Sequence, residues 1–266
     1  MTATATSTTP TSADRARQVG VTLAEIFCVV GTLVGVGVIG TRVEESSGGA
    51  LAADATLIAP AGPAFSIWTP IYLGLAAYTV WQWLPQQAAE PRHRAIGWLV
   101  AASMVFNAAW LLVTQQGWLW ASVVVILALA LSLGLLVVRL QQHPSYGYGE
   151  TVVVDGTFGL YLGWVAVATC ANITTTLIES GVDPGGPVAE VLALVVLAVA
   201  AGLGVLFARR LGGRWAVAVA MAWGLGWIAY GRALDEPRSL LVGLGAVVAA
   251  LVVLSAAARE HRTPTS

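Results

Sequence analysis

Charged residues are scarce in this sequence, and that scarcity limits what kind of protein it can be. Only 10% of its 266 residues are Asp, Glu, Lys or Arg, whereas about a quarter is usual for a soluble domain. The net charge is −1, and all thirteen basic residues are arginine. No basic surface of the kind that nucleic acid requires is predicted. The hydrophobic share of 57% and the mean hydropathy of +0.78 indicate an integral membrane protein.

Cysteine and histidine are also too few, and too poorly placed, to build a reactive centre. Cys28 and Cys170 each lie in an apolar segment and form neither a disulfide framework nor a spaced metal motif. His93, His143 and His261 fall in polar connections or in the C-terminal tail, which argues against a haem-bearing electron carrier. We therefore predict no catalytic residue, no metal site and no obligatory cofactor, and we expect that the protein is not an enzyme.

Eight apolar segments are long enough to cross a hydrocarbon core of roughly 30 Å, for which about 20 helical residues suffice. Proline and glycine interrupt the chain between most of them, for example at Pro91, Gly117 and Pro144. The fold class is accordingly all-α, a polytopic bundle of membrane helices. The segments cover residues 19–40, 65–84, 95–114, 118–138, 152–178, 188–208, 215–234 and 240–258.

The first segment needs a separate decision, because secretory signals also begin with an apolar run. Its roughly 22 residues exceed the 7 to 15 of a signal-peptide core, although residues 50–52 imitate a cleavage site. We interpret it as a retained helix. Residues 1–17 before it are rich in Thr, Ser and Ala and are predicted to be a disordered cytoplasmic tail.

The arginines predict the topology, since cytoplasmic loops are enriched in basic residues. With eight crossings, three arginines fall on one side, namely Arg42, Arg232 and Arg238. Ten fall on the side of both termini: Arg15, Arg17, Arg92, Arg94, Arg139, Arg209, Arg210, Arg214, Arg259 and Arg262. We predict a multi-pass protein of a bacterial cytoplasmic membrane, with both termini, including the tail at 259–266, in the cytoplasm.

The tryptophans fall into two groups. Six lie near segment ends, as an interfacial aromatic belt requires: Trp81, Trp83, Trp98, Trp118, Trp120 and Trp215. Trp68, Trp110 and Trp164 lie inside segments, where an indole N–H needs a partner from protein or ligand. Asn107 and Asn172 are buried amides in the same segments, and hydrogen bonding between helices explains them as well as a ligand does.

Glycines and carboxylates within the segments have simpler explanations than a site. Residues 35–40 match G-x-G-x-x-G, but they end a membrane helix and do not follow a strand. The G-x-x-x-G pairs Gly31/Gly35 and Gly159/Gly163 predict close helix packing, a surface that also suits a homo-oligomer. Glu25 and Asp155 are expected near the cytoplasmic interface, which we favour over a proton relay.

Three segments resemble one known family. The fifth contains Tyr161-Leu162-Gly163-Trp164-Val165, followed by Ala168 and Asn172. The third contains Asn107-Ala108-Ala109-Trp110, and the second contains Phe65-Ser66-Ile67-Trp68-Thr69-Pro70-Ile71-Tyr72. In this order they resemble the translocator protein or tryptophan-rich sensory protein family (TspO/MBR), over about residues 20 to 178.

The resemblance implies a five-helix membrane domain, here at 18–178, whose cavity is closed by the first loop and binds porphyrins, sterols or synthetic aromatic molecules. The implied partners are membrane lipid and a hydrophobic small molecule, with a porphyrin as the candidate ligand. We expect the cavity between the second, third and fifth helices, toward the outer half of the membrane. The implied ligand-binding residues are Trp68, Tyr72, Asn107, Trp110, Tyr161, Trp164, Ala168 and Asn172.

The last three segments, at 188–258, lie outside that five-helix pattern. We interpret them as an extension, so that truncation near Pro187 is expected to leave a folded bundle.

Two other functions remain open. A secondary transporter of a small solute favours internal repeats and coupling carboxylates, and a porphyrin-modifying membrane enzyme requires catalytic groups; the sequence shows no clear repeat and no such constellation.

Overall fold

The computed structural model describes residues 9–39 and 41–262 and confirms the all-α membrane bundle. Eight long helices account for most of this part of the chain, and no strand occurs in it. They are α1 (Ser12–Gly35), α2 (Trp68–Trp81), α3 (Pro91–Gln115), α4 (Leu119–Gln142), α5 (Tyr148–Glu179), α6 (Gly186–Leu211), α7 (Trp215–Leu234) and α8 (Leu240–Arg262).

Seven of these helices are long and apolar enough to cross a membrane by themselves; α2, with 14 residues, is the exception. A 3-10 helix, Gly62–Ile67, runs directly into α2, and Pro63 suits its first turn because the missing N–H would have no helical partner there. At the usual rises, the two pieces together reach roughly 33 Å. The 3-10 helix and α2 together are therefore long enough for the second segment to cross the hydrocarbon core.

The predicted disordered tail ends earlier than expected, because α1 already begins at Ser12. The hydroxyl of Thr11 accepts from the backbone N–H of Asp14, whose carboxylate in turn accepts from the Thr11 N–H, a capping box. Arg94 of α3 donates to the same carboxylate over 2.7 and 2.6 Å. The prediction was wrong for residues 12–17, which are helical and of which Asp14 and Arg17 are buried against α3. Residues 1–8 and 263–266 lie outside the described part.

The glycine pairs are helix-packing faces, as predicted. A Cβ on Gly31 would lie 2.7 Å from Ala108 Cβ, and one on Gly35 would lie 2.5 Å from Leu111, so α1 and α3 approach closely. Gly159 and Gly163 bring α5 equally close to α7. Both faces are therefore covered within one chain and are not available to a second copy; a homo-oligomer stays a prediction that needs another surface. Gly40 of the G-x-G-x-x-G match lies outside the described residues.

The last three helices belong to the same body as the first five. Besides the α5/α7 contact, α8 packs closely on α6, where a Cβ on Gly245 would lie 2.5 Å from Leu194. Buried side chains of α7 include Met221, Leu225 and Ile228. Since α7 covers one side of α5, removal of the extension would expose that side of the five-helix domain.

The two ends of the bundle differ in charge. At the arginine-rich end, which holds the ten arginines named above, Asp155 pairs with Arg214 and lies 2.7 Å from Arg92, which also approaches Glu150 at 3.2 Å. Asp155 is thus at the arginine-rich end of the bundle, in a π-helical turn, Thr151–Gly156, close to the start of α5. Glu25 is not: it is the fourteenth of the 24 residues of α1, because that helix starts earlier than predicted.

The opposite end, which we call the loop end, carries the long connection 36–61, termed the first loop. Ser47 of this loop donates to the carbonyl of Thr114 over 2.8 Å, and Trp120 donates to Ser180 over 3.1 Å. These contacts place the first loop, the α3–α4 turn and the α5–α6 turn together. The ten-to-three separation of arginines is thus present in the fold; which end faces the cytoplasm stays a prediction.

Candidate ligand site

An aromatic cluster forms around Trp68, the first residue of α2. Its indole stacks on Tyr72, one turn later, with ring centroids 5.2 Å apart and planes 15° from parallel. Tyr161 and Trp164 of α5 meet the same indole edge-on, at 5.8 and 6.2 Å. The spacing of four within α2 and three within α5 therefore places four predicted site residues in one cluster.

Trp164 is the most enclosed indole of this cluster. It is 1% exposed, and Phe65 packs edge-on against it at 5.7 Å. Its Nε1 has no hydrogen-bond partner among the residues that the structure describes. A buried N–H donor in this position is available to an acceptor on a ligand.

Asn107 of α3 joins the cluster through Tyr72. Its Nδ2 donates to the Tyr72 hydroxyl over 3.1 Å and to the Cys28 sulfur over 3.5 Å. The side chain is fully buried, yet its Oδ1 has no partner within the described chain. The site therefore has an unused acceptor as well as the unused donor of Trp164.

Asn172, by contrast, is occupied by contacts between helices. Its Oδ1 accepts from Trp110 Nε1 over 2.7 Å, and its Nδ2 donates to Ser122 of α4 over 2.9 Å. The hydrogen bonds link α3, α4 and α5, so the packing explanation holds for this amide. Asn172 positions Trp110 and leaves no polar atom of its own unpaired.

Next to the aromatic cluster lies a cavity of about 380 Å³. Of the predicted residues, Trp68, Tyr72 and Trp110 line it. A smaller void of about 50 Å³, which shares Phe65 and Trp110 with the cavity, is lined by Trp164, Ala168 and Asn172. Asn107 and Tyr161 line neither space but hold Tyr72 and Trp68.

The main cavity does not lie between the second, third and fifth helices as predicted. Its walls come from α1, the first loop, the 3-10 helix, α2 and α3. The reason is that Tyr161 and Trp164 are large enough to fill the space between α5 and α2. The sequence analysis missed Thr32 on α1, and Val36 and Arg42 in the first loop. Of these, Arg42 could have been noticed, because it is one of only three arginines on its side.

A family model described as TSPO-like protein matches residues 21–258 of the chain. The chain belongs to the TSPO-like protein family. The match covers part or all of every helix, α6–α8 included, so the resemblance noted over residues 20 to 178 extends further than expected. No curated protein and no solved structure matches the chain at a significant level.

In this TSPO-like chain, α7 holds the first loop against the bundle. The buried guanidinium of Arg232 donates to the carbonyls of Thr56 and Ala53 over 3.0 and 3.1 Å. Trp223 Nε1 donates to the Ala64 carbonyl over 2.9 Å, and the Trp227 carbonyl accepts from the N–H of Ala61 at 3.3 Å. The helices beyond residue 188 thus fix the segment that borders the cavity.

Proposed function

We propose that this TSPO-like membrane protein is a receptor or carrier that binds a flat hydrophobic ligand of the porphyrin class in the aromatic cavity, in a sensory or transport role. The observation that carries the proposal is an apolar cavity walled by Trp68, Tyr72 and Trp110, adjoining a smaller void that is lined by Trp164, whose Nε1 has no hydrogen-bond partner in the described chain. Such a combination suits a largely apolar ligand with a few polar atoms at fixed positions.

The size and lining of the cavity support a small aromatic body. Its volume of about 380 Å³ falls in the range of roughly 300 to 1,000 Å³ that is common for small-molecule pockets. Trp68, Tyr72 and Trp110 present rings to it. Each aromatic contact adds about 0.5–1.5 kcal/mol beyond area burial, which favours a planar ligand over a flexible chain.

Arg42 narrows the ligand class further. It lines the cavity, and its side chain is exposed, so its guanidinium lies at the rim rather than inside. A carboxylate at the edge of a porphyrin would pair with it, whereas a sterol offers only a neutral hydroxyl. The charge at the rim therefore favours an acid-bearing planar ligand over a sterol.

The test is a titration of the purified full chain, followed by ligand absorbance and by quenching of tryptophan fluorescence. Protoporphyrin, its dimethyl ester, cholesterol and a small polar solute are compared. We expect protoporphyrin to bind most tightly, with the ester weaker by about fivefold for roughly 1 kcal/mol of lost charge-assisted pairing. Arg42→Gln should remove the difference between acid and ester; tighter binding of cholesterol or of the polar solute would refute the assignment.

One observation favours a second function, a coupled secondary transporter. Glu25 lies in the middle of α1, is 8% exposed, and its Oε2 has no hydrogen-bond partner in the described chain. It precedes Cys28, which accepts from Asn107, by one turn of the helix. A carboxylate at such depth is costly and typically faces an ion or proton pathway.

Proteoliposomes distinguish the two functions. A carrier driven by a proton gradient accumulates solute only when the gradient is imposed, and Glu25→Gln abolishes that dependence. Equal ligand equilibration with and without a gradient, in wild type and variant, excludes the coupled transporter and leaves the receptor or uncoupled carrier.

A further inference from the structure

A second cavity lies at the loop end, on the side of the first loop that faces away from the aromatic site. Its volume is about 390 Å³, and its walls come from loop residues 55–58, the C-terminal end of α5 and the first turns of α6. Ala193 and Ile58 form buried parts of the wall. Leu177 and Leu192 are partly exposed, so the cavity opens sideways between α5 and α6.

The opening determines which molecules reach this cavity. Both α5 and α6 are long and apolar enough to span a membrane, and only 28% of the apolar window of α6 is buried. The exposed flank that continues from the cavity, with Leu192 and Val195, is therefore a lipid-facing surface. An acyl chain enters such a space directly, without passing through water.

The polar groups of the cavity indicate which lipid fits. Asp183 is the only charged residue of the lining, and its exposed carboxylate sits at the α5–α6 turn. Thr56 also lines the cavity and is 3% exposed. Its hydroxyl has no hydrogen-bond partner in the described part of the chain. A lone carboxylate attracts an ammonium and repels an anion, while an unpaired buried hydroxyl suits an ester carbonyl.

We propose that this second cavity is a phospholipid site that holds one acyl chain, with the lipid's ammonium head group beside Asp183 and an ester carbonyl on the Thr56 hydroxyl. The lipid would then support the first loop from the side opposite the aromatic cavity. The site is independent of the ligand proposed above.

The experiment is photolabelling of the full chain in vesicles of phosphatidylethanolamine and phosphatidylglycerol. A trace of either lipid carries a diazirine in its acyl chain, and labelled residues are located by mass spectrometry. With the ethanolamine probe we expect several-fold stronger labelling at Leu177 and Leu192 than at Leu244 and Leu251, although those two residues of α8 are more exposed. The glycerol probe should show less enrichment.

Three comparisons make the test decisive. Ala193→Trp fills the cavity and should reduce labelling to the level of α8, whereas Ala198→Trp, on an exposed face of α6, should not. Asp183→Asn should remove the preference for ethanolamine over glycerol while labelling persists. Uniform labelling of the wild-type protein over all exposed apolar residues would overturn the proposal. Displacement of the lipid label by protoporphyrin would overturn it as well. Both results are obtained with the wild-type protein, so they do not require the variants to fold.

Discussion

The contact of Arg232 with the first loop leads to a quantitative prediction. Its guanidinium is 1% exposed and donates to the carbonyls of Thr56 and Ala53. Arg232→Met leaves the Ala53 carbonyl without a donor, at about 1–3 kcal/mol, and removes one of the two hydrogen bonds of the Thr56 carbonyl, at about 0.5–1.5 kcal/mol more. Removing a buried charge returns part of that cost, so we expect the closed loop to lose roughly 2 kcal/mol, equivalent to about 30-fold more frequent opening.

Hydrogen exchange of backbone amides measures this opening. The informative amide is that of Ala61, which donates to the carbonyl of Trp227 on α7, because its exchange requires the loop to leave the bundle. Arg238→Met is the matched control, since the Arg238 side chain is 67% exposed and lies one turn beyond the helix end. Unchanged exchange of the Ala61 amide in Arg232→Met, with the helices still protected, would refute the idea that Arg232 of α7 holds the loop.

Three further predictions concern stability and topology. Asn172→Leu leaves the indole N–H of Trp110 without an acceptor and should cost about 1–3 kcal/mol in thermal unfolding in detergent, whereas replacing the exposed Gln116 by Leu should have little effect. Truncation after Pro187 exposes the α7-facing side of α5 and frees the first loop, so size-exclusion chromatography should show aggregation; a monodisperse, folded fragment would contradict this. Reporter fusions at residues 50, 116, 183 and 236 should all read as external, and a cytoplasmic signal at any of them would break the topology.

The helices were predictable from sequence because a membrane helix depends mainly on the length of its apolar run. The exceptions arise where contacts between helices determine where a helix begins. The start of α1 at Ser12 depends on Asp14 meeting Arg94, a residue of another helix. A hydropathy pattern contains no information about such a pair.

The candidate site was predictable in part for a similar reason. Trp68 and Tyr72, and likewise Tyr161 and Trp164, share a helix face by their spacing, so their meeting follows from helix geometry. The wall formed by Thr32 at the end of α1 and by Val36 just after it did not follow, because these residues carry no distinguishing pattern. The contact between Arg232 and the loop was also missed, since it joins residues separated by 176 positions.

The central claim, that the aromatic cavity binds a flat ligand, is tested most directly by replacing Trp68 of its wall together with Trp164, which packs against Trp68 and lines the adjoining void. Trp68→Leu with Trp164→Leu keeps the helices apolar but removes the rings that meet at 6.2 Å. Protoporphyrin titration should show affinity reduced by about tenfold or more, for roughly 1.4 kcal/mol of lost ring contact. The control Trp120→Leu, at an exposed position on α4, should bind like wild type. Unchanged binding by a folded double variant would contradict the account and reduce these tryptophans to packing residues.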